Sequence, residues 1–177
     1  MIFGKTAIQG VFLAELERNE DSRGCFARAF CETEFRAAGF PFDVSQANLS
    51  KSRGKGTVRG MHYQTRGIHE AKVVRCIRGA VWDVVVDMRE GSPTKFKHIA
   101  FELSDANGLA LCIPDGVAHG HQALTAEADL FYLMDGSYHT GHEAGLRYDD
   151  PAIGIEWPLP VNRISPRDLA WPLLSME

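Results

Sequence analysis

Ala71-Lys72-Val73-Val74-Arg75-Cys76-Ile77-Arg78, then Gly79, then Ala80-Val81-Trp82-Asp83-Val84-Val85-Val86-Asp87-Met88 is the stretch on which the fold turns. Two runs dense in Val and Ile are separated by a single glycine, which reads as two β-strands in direct succession. Upstream, residues 57–63 read as a strand leading into a loop at 65–68. Downstream, strands at 97–103, 109–113, 117–124 and 128–135 alternate with turns such as Glu90-Gly91-Ser92-Pro93 and Ser104-Asp105-Ala106-Asn107-Gly108. Strands at this spacing, with no long helical repeats between them, predict an all-β antiparallel barrel or sandwich rather than βαβ units. Nearer the start, residues 7–17 and 25–30 read as strands, and 33–38 as a short helix capped by Thr33 and stopped by Gly39 and Pro41. Residues 42–49 read as extended chain ending in a polar corner at 50–56. Residues 151–177 carry Pro151, Pro158, Pro160, Pro166 and Pro172 with Trp157 and Trp171, and are expected to wrap the surface and close one end.

At 177 residues the chain fits one domain, residues 1–177, with a sizeable core. A net charge of -4 gives no electrostatic case for nucleic acid. Basic residues nevertheless cluster between Arg53 and Arg78, which suits a compact anion such as a diphosphate. Cys25, Cys31, Cys76 and Cys112 have no CxxC spacing and read as isolated, mostly buried thiols. No apolar run approaches the ~20 residues of a membrane span, so the expectation is a cytoplasmic protein with no membrane partner.

The chemistry-bearing residues crowd around Gly56-Thr57-Val58-Arg59-Gly60-Met61-His62-Tyr63-Gln64. His62, Arg59, Lys72 and Arg75 are expected on two neighbouring strands, with an anionic ligand lying across the sheet surface. Strict alternation sets Arg59 and His62 on opposite faces unless the strand bulges near Gly60. A neutral histidine suits general-base work if a carboxylate orients it, and Asp87 and Asp168 are both candidates. Asp83 and Asp87 share a face and read either as buried ligand contacts or as structural groups. Lys72 enters an apolar strand and is either an edge charge or a cation facing a ligand. His119 and His121 share a strand face, spacing that suits a metal centre completed by His62, Glu70 or Glu127. In the alternative, His119 supports His62 by a hydrogen bond and His121 is structural. Tyr132 and Tyr138 are candidate proton donors or rim aromatics. No GxGxxG, Walker loop or zinc-finger spacing is present.

Together these residues resemble the dTDP-4-dehydrorhamnose 3,5-epimerase family of nucleotide-sugar enzymes. The likeness runs through Asp21-Ser22-Arg23-Gly24-Cys25-Phe26, Gln46-Ala47-Asn48-Leu49-Ser50-Lys51-Ser52, Val58-Arg59-Gly60-Met61-His62-Tyr63-Gln64 and Lys72-Val73-Val74-Arg75. It continues through Val81-Trp82-Asp83-Val84-Val85-Val86-Asp87-Met88-Arg89, Ser92-Pro93-Thr94, Ile113-Pro114-Asp115-Gly116-Val117-Ala118-His119-Gly120 and Ile153-Gly154-Ile155-Glu156-Trp157-Pro158. The resemblance implies a cupin-type jelly-roll barrel of antiparallel strands with short peripheral helices. It also implies a homodimer working without metal or redox cofactor. It implies a base dyad of His62 and Asp168 with His119 nearby, Lys72 on the enolate oxygen, and Tyr138 as the acid on the opposite face. Arg23, Phe26, Gln46, Asn48 and Arg59 would contact the nucleotide diphosphate, and Tyr132 and Glu143 would line the site. The implied substrate is a nucleoside-diphosphate 4-keto-6-deoxyhexose, epimerised at C3, C5 or both.

Three departures bear on specificity. Arg28 stands where the family commonly has a glutamate, which suits the acceptor edge of cytosine and raises a CDP-sugar alternative. Leu133 and Gly136-Ser137 replace bulkier or polar residues, which would reshape the sugar pocket and restrict reaction to one centre. The competing classes are a metal-dependent cupin oxygenase or isomerase, and a non-catalytic sugar-nucleotide binding module.

Overall fold

The computed structural model describes residues 1–65, 67–136 and 140–174. Its strands are β1 (Ile2–Lys5), β2 (Phe12–Glu15), β3 (Asn19–Asp21), β4 (Gly24–Phe26), β5 (Val44–Arg53), β6 (Val58–Gln64), β7 (Ala71–Arg78) and β8 (Ala80–Asp87). They continue with β9 (His98–Ser104), β10 (Ala110–Ile113), β11 (Val117–Ala123), β12 (Glu127–Asp135) and β13 (Glu143–Gly145). The helices are α1 (Glu32–Ala37) and α2 (Pro166–Leu169). Gly79 separates β7 from β8 as expected, with φ of 71°. A side chain there would meet the Glu127 carbonyl at 2.3 Å, so only glycine fits this switch between sheets.

β7 and β8 are sequence neighbours but belong to different sheets. One sheet runs β1-β2-β10-β7-β12-β5, a second runs β13-β6-β11-β8-β9, and β3-β4 is a separate hairpin. All the ladders are antiparallel. The inner faces of the two large sheets meet in one core. Val74, Cys76, Leu111, Ile113 and Leu130 come from the first sheet and Val81, Val85, Leu103, Val117 and Ala123 from the second. Alternation sets this pattern, since every second residue of each strand reaches inward. Below about 10% exposure these side chains have left water, which is the dominant stabilising term.

The expected jelly-roll barrel is not formed. Each large sheet is open, bounded by β1 and β5 in one case and by β13 and β9 in the other. Among the described residues no ladder joins these edges. Two of the bounding strands are only four (β1) and three (β13) residues long, and closure requires continuous pairing around the circuit. The architecture is two open antiparallel sheets with short helices, in the cupin-like class but without a closed or curled sheet.

Several boundaries also move. The first expected strand, 7–17, is strand only at β2 (Phe12–Glu15), and β1 (Ile2–Lys5) precedes it where none was expected. The polar corner is strand as far as Arg53. α1 begins after Cys31 with no side-chain cap, so Thr33 does not cap it. Residues 151–174 do pack across the second sheet, where Ile153, Ile155, Trp157 and Leu174 cover Met61, Val84, Val86 and Ala118. Cys76 and Cys112 are buried, with thiols pushed up by burial to about 11 and about 12 respectively, whereas Cys25 is exposed and Cys31 half-buried. No helix among the described residues is long and apolar enough to cross a membrane.

Candidate active site

Between the sheets, lined by residues of β5, β6, β7, β11, β12 and β13, lies a cavity of about 660 Å³. Its wall includes Gln46, Asn48, Arg59, His62, Lys72, His119, Tyr132, Glu143 and Asp168. The fold therefore gathers nine residues that the sequence reading scattered over more than 120 positions. They face a space between two sheets, not the surface of one.

A bulge in β6 makes this arrangement. His119 of β11 pairs with His62, and His121 pairs with Arg59, so two steps along β11 oppose three along β6. The extra residue brings Arg59 and His62 onto one face. Glycine makes the crossing: Gly60 has φ of 124°, and a Cβ there would lie 2.5 Å from Gly120 Cα. Gly120 in turn leaves room for Met61 Sδ and the Arg59 carbonyl, which a Cβ would meet at 2.6 and 2.8 Å.

Asp168 arrives from the far end of the chain. The segment before it is fastened to β6 by the Val58 N–H donating to the Arg163 carbonyl at 2.8 Å. Asn162 N–H donates to the Gly56 carbonyl at 3.1 Å. Ser165 then caps α2, accepting from Asp168 N–H at 3.0 Å, with Pro166 at the first helical position. That cap aims the carboxylate at β6. Asp168 Oδ1 accepts from His62 Nε2 at 2.6 Å, and Oδ2 accepts from the Gly60 N–H at 3.3 Å. Asp168 is 4% exposed, and burial alone would raise its pKa. The His62 hydrogen bond and charge, with Gly60 and Ser165, outweigh burial and hold the carboxyl below its usual range. Because a carboxylate only accepts, Nε2 carries the proton and Nδ1 is left as the basic atom of His62.

Asp87 is not a partner of His62. It accepts from Arg89 at 2.8 Å, Ser92 at 2.6 Å and Thr94 at 2.6 Å, and these bonds hold it far below the ordinary carboxylate range although burial opposes them. It ties down the turn after β8. Its strand neighbour Asp83 receives both carboxylate contacts from His119 Nε2, each at 2.9 Å. His121 meets Ser52 Oγ at 3.2 Å, and burial pushes it well below the histidine range, with His119, Arg59 and His62 adding to the shift. Among the described residues no three His, Cys, Asp or Glu side chains converge as a metal site would require.

Lys72 is buried in the cavity wall, and its Nζ lies 3.1 Å from Glu70 Oε2. Arg59 donates to Ser52 Oγ at 3.2 Å and to the Lys51 carbonyl at 2.9 Å. Gln46 donates to the Gly136 carbonyl at 3.2 Å. Tyr132 packs edge-on to His119 at 5.8 Å between ring centroids, and burial keeps its phenol protonated. Glu143 accepts from the Gly141 N–H at 3.1 Å.

Four expectations fall elsewhere. Arg75 points away from the cavity, donating to the carbonyls of Gly108 and Ala29, so it is no ligand cation there. Arg23 pairs with Asp21, Phe26 is 74% exposed, and Arg28 pairs with Glu34 at 2.8 Å. These three belong to or adjoin the β3-β4 hairpin, and none lines the cavity of its own chain. Tyr138 lies outside the described residues. Sequence reading missed Ser50, Arg163 and Arg167 in the cavity wall, and named Glu70 there only as a possible metal ligand. A signal existed for Ser50: Gln46, Asn48, Ser50 and Ser52 are polar at every second position, the pattern of a strand with a wet inner face.

The chain is similar to known proteins over nearly its whole length. The family model for dTDP-4-dehydrorhamnose 3,5-epimerase matches residues 5–176. A dTDP-4-dehydrorhamnose 3,5-epimerase of Sinorhizobium fredii is 43% identical over 158 residues, covering 89% of this chain and 81% of that protein. A dTDP-4-dehydrorhamnose 3-epimerase of Streptomyces niveus is 41% identical over 162 residues, covering 91% and 78%. The crystal structure of a dTDP-4-dehydrorhamnose 3,5-epimerase from Elizabethkingia anophelis superposes with a TM-score of 0.94 at 35% identity, covering 98% of this chain and 96% of that one.

Proposed function

The chain belongs to the dTDP-4-dehydrorhamnose 3,5-epimerase family, and from that premise we propose that it inverts the carbons flanking the ketone of a dTDP-linked 4-keto-6-deoxyhexose. It is an enzyme, a nucleotide-sugar epimerase. The observation that carries the residue assignment is the 2.6 Å contact between His62 Nε2 and Asp168, in a cavity that also holds Lys72.

The C4 ketone acidifies the hydrogens on C3 and C5, because the electron pair left on carbon moves onto the oxygen as an enolate. His62 Nδ1 takes the proton. The resulting imidazolium is stabilised by the Asp168 carboxylate at Nε2. Lys72, itself buried, supplies an N–H and a positive charge where the enolate oxygen develops. A proton returned to the opposite face of the carbon inverts the centre, the donor being Tyr138 by resemblance. No hydride leaves the sugar, so the reaction itself calls for no redox cofactor. His119, locked by Asp83, and Tyr132 shape the sugar end, while Arg59, Gln46, Asn48 and Glu143 bind the rest of the nucleotide sugar.

The working unit in this reading is a homodimer. Arg23 and Phe26 are assigned to the nucleotide, yet they stand on an exposed hairpin away from their own cavity. Service to the cavity of a second copy reconciles the two.

Incubation with dTDP- and CDP-4-keto-6-deoxyglucose in D₂O, followed by NMR, tests the proposal. The expected result is solvent deuterium at C3 and C5, a higher kcat/KM for the thymidine form, and no exchange by His62→Ala. Exchange at C3 alone would assign a 3-epimerase, the activity named for the Streptomyces niveus relative. Binding without exchange, or full activity in His62→Ala, would reject the base.

A further inference from the structure

Glu70 is a carboxylate of the cavity wall bonded to Lys72, with no task in the epimerisation above. It is 18% exposed as a side chain, against 8% for Lys72. Its Oε2 accepts from Lys72 Nζ at 3.1 Å, and its Oε1 accepts from Gln64 Nε2 at 3.2 Å. The backbone beneath it is also fixed, since Glu70 N–H donates to Asp115 Oδ1 at 2.6 Å. Asp115 in turn grips His69, whose other ring nitrogen lies 2.9 Å from Asp135 Oδ2. The carboxylate therefore comes from a segment clamped to the β10–β11 turn on one side and to the end of β12 on the other.

A lysine is a point charge on a four-carbon stem, with three N–H donors that rotate freely. One donor held by a fixed carboxylate settles where the ammonium sits and leaves two N–H bonds for the cavity. We infer that Glu70 is a positioning residue for the epimerisation, holding the Lys72 ammonium where the enolate oxygen forms, with Gln64 holding Glu70. Glu70 acts through Lys72 and not on the sugar, so it contributes to kcat and not to the binding of the nucleotide. This rests on the reading of Lys72 as the cation for the enolate.

Gln64 supplies the conservative rescue. Its Oε1 is buried without a partner among the described residues. Turning the Gln64 amide over lets it accept from the amide of a Glu70→Gln variant, whose own oxygen still faces Lys72. The size of the effect follows from the sensitivity of enzymes to placement, where an error of about 1 Å costs up to about 100-fold.

The test measures deuterium incorporation from D₂O and KM for the dTDP-4-keto sugar. The proteins are wild type, Glu70→Ala, Glu70→Gln, Lys72→Met and the Glu70→Ala/Lys72→Met double variant. The inference expects Glu70→Ala to lose about tenfold or more in kcat with KM within about twofold, and Glu70→Gln to regain most of that loss. It expects no further loss from Glu70→Ala once Lys72 is methionine, because the two side chains act as one unit. Wild-type kcat in Glu70→Ala would overturn it, as would two single losses that multiply in the double variant. Wild-type exchange in Lys72→Met would sink the Lys72 reading and this inference with it. A disabled Lys72→Met beside an undisturbed Glu70→Ala would remove the inference alone.

Discussion

Asp168 shows how much one buried carboxylate can decide. Its two oxygens fix the tautomer of His62 and the backbone of Gly60 together, so catalytic atom and bulge share an anchor. Asp168→Asn keeps the shape but offers Nε2 an ambiguous partner, and the imidazolium loses its counter-charge. Exchange should fall on the order of 100-fold or more, within the range that general base catalysis contributes, while thymidine diphosphate still binds by calorimetry. The same residue gives a pH prediction. Its folded pKa is depressed, so its stabilisation is present above the unfolded value near 3.9 and disappears as pH falls through the lower folded value. Urea midpoints measured from pH 6 downward should show a steeper acid loss for wild type than for Asp168→Asn. Equal slopes would deny Asp168 this role.

Among the elements, β6 and the loop after it carry the site. Gly60→Ala introduces a methyl 2.5 Å from Gly120 Cα and 2.9 Å from the His119 carbonyl, at a φ of 124° that a side chain resists. Overpacking against backbone typically costs about 1–3 kcal/mol, and here it also turns Arg59 or His62 out of register. Gly4→Ala, where nothing lies within 4 Å, is the control that should leave both urea midpoint and activity in place. His69 governs the other end of the same loop. Hydrogen bonds donated to Asp135 first and Asp115 second raise its pKa above the usual 6.5, against the opposing effect of burial. A raised histidine stabilises fully below 6.5 and loses that contribution as pH climbs through the folded value. Melting temperature should therefore decline between neutral and mildly alkaline pH in wild type, and His69→Gln should flatten that decline. The side chain is half exposed, so solvent screening keeps the effect modest.

On the scale of the molecule, two open sheets hold the cavity between them, while the β3-β4 hairpin belongs to neither. If two copies share their sites, a His62→Ala chain and an Arg23→Ala chain are each impaired alone but recover when mixed. Random pairing puts one intact His62 and one intact Arg23 at the same cavity in about one quarter of sites. Refolding the two variants together and assaying exchange checks this, and no recovery would mean that each copy serves itself. Barrel closure is decided at this scale too. Alternating strands and frequent turns distinguish antiparallel sheet from βαβ units, but local pattern holds no information on whether the outermost strands meet.

The amino-acid order alone determined the strands from β6 to β12 closely, because period-two burial and glycine or proline turns are local properties. It also carried the likeness that selected His62, Lys72 and Asp168. It did not reveal α2, although Ser165-Pro166 before Asp168 is a readable helix start. What only the tertiary structure decided is which of these groups share a space. The bulge at Gly60 turned Arg59 to the side of His62, the passage from β6 in one sheet to β7 in the other set Lys72 across the cavity instead of beside it, and pairing with Arg163 delivered Asp168 over more than 100 residues. Each is a long-range contact whose two halves look unremarkable apart, since the free energy that joins them arises only when both leave water together.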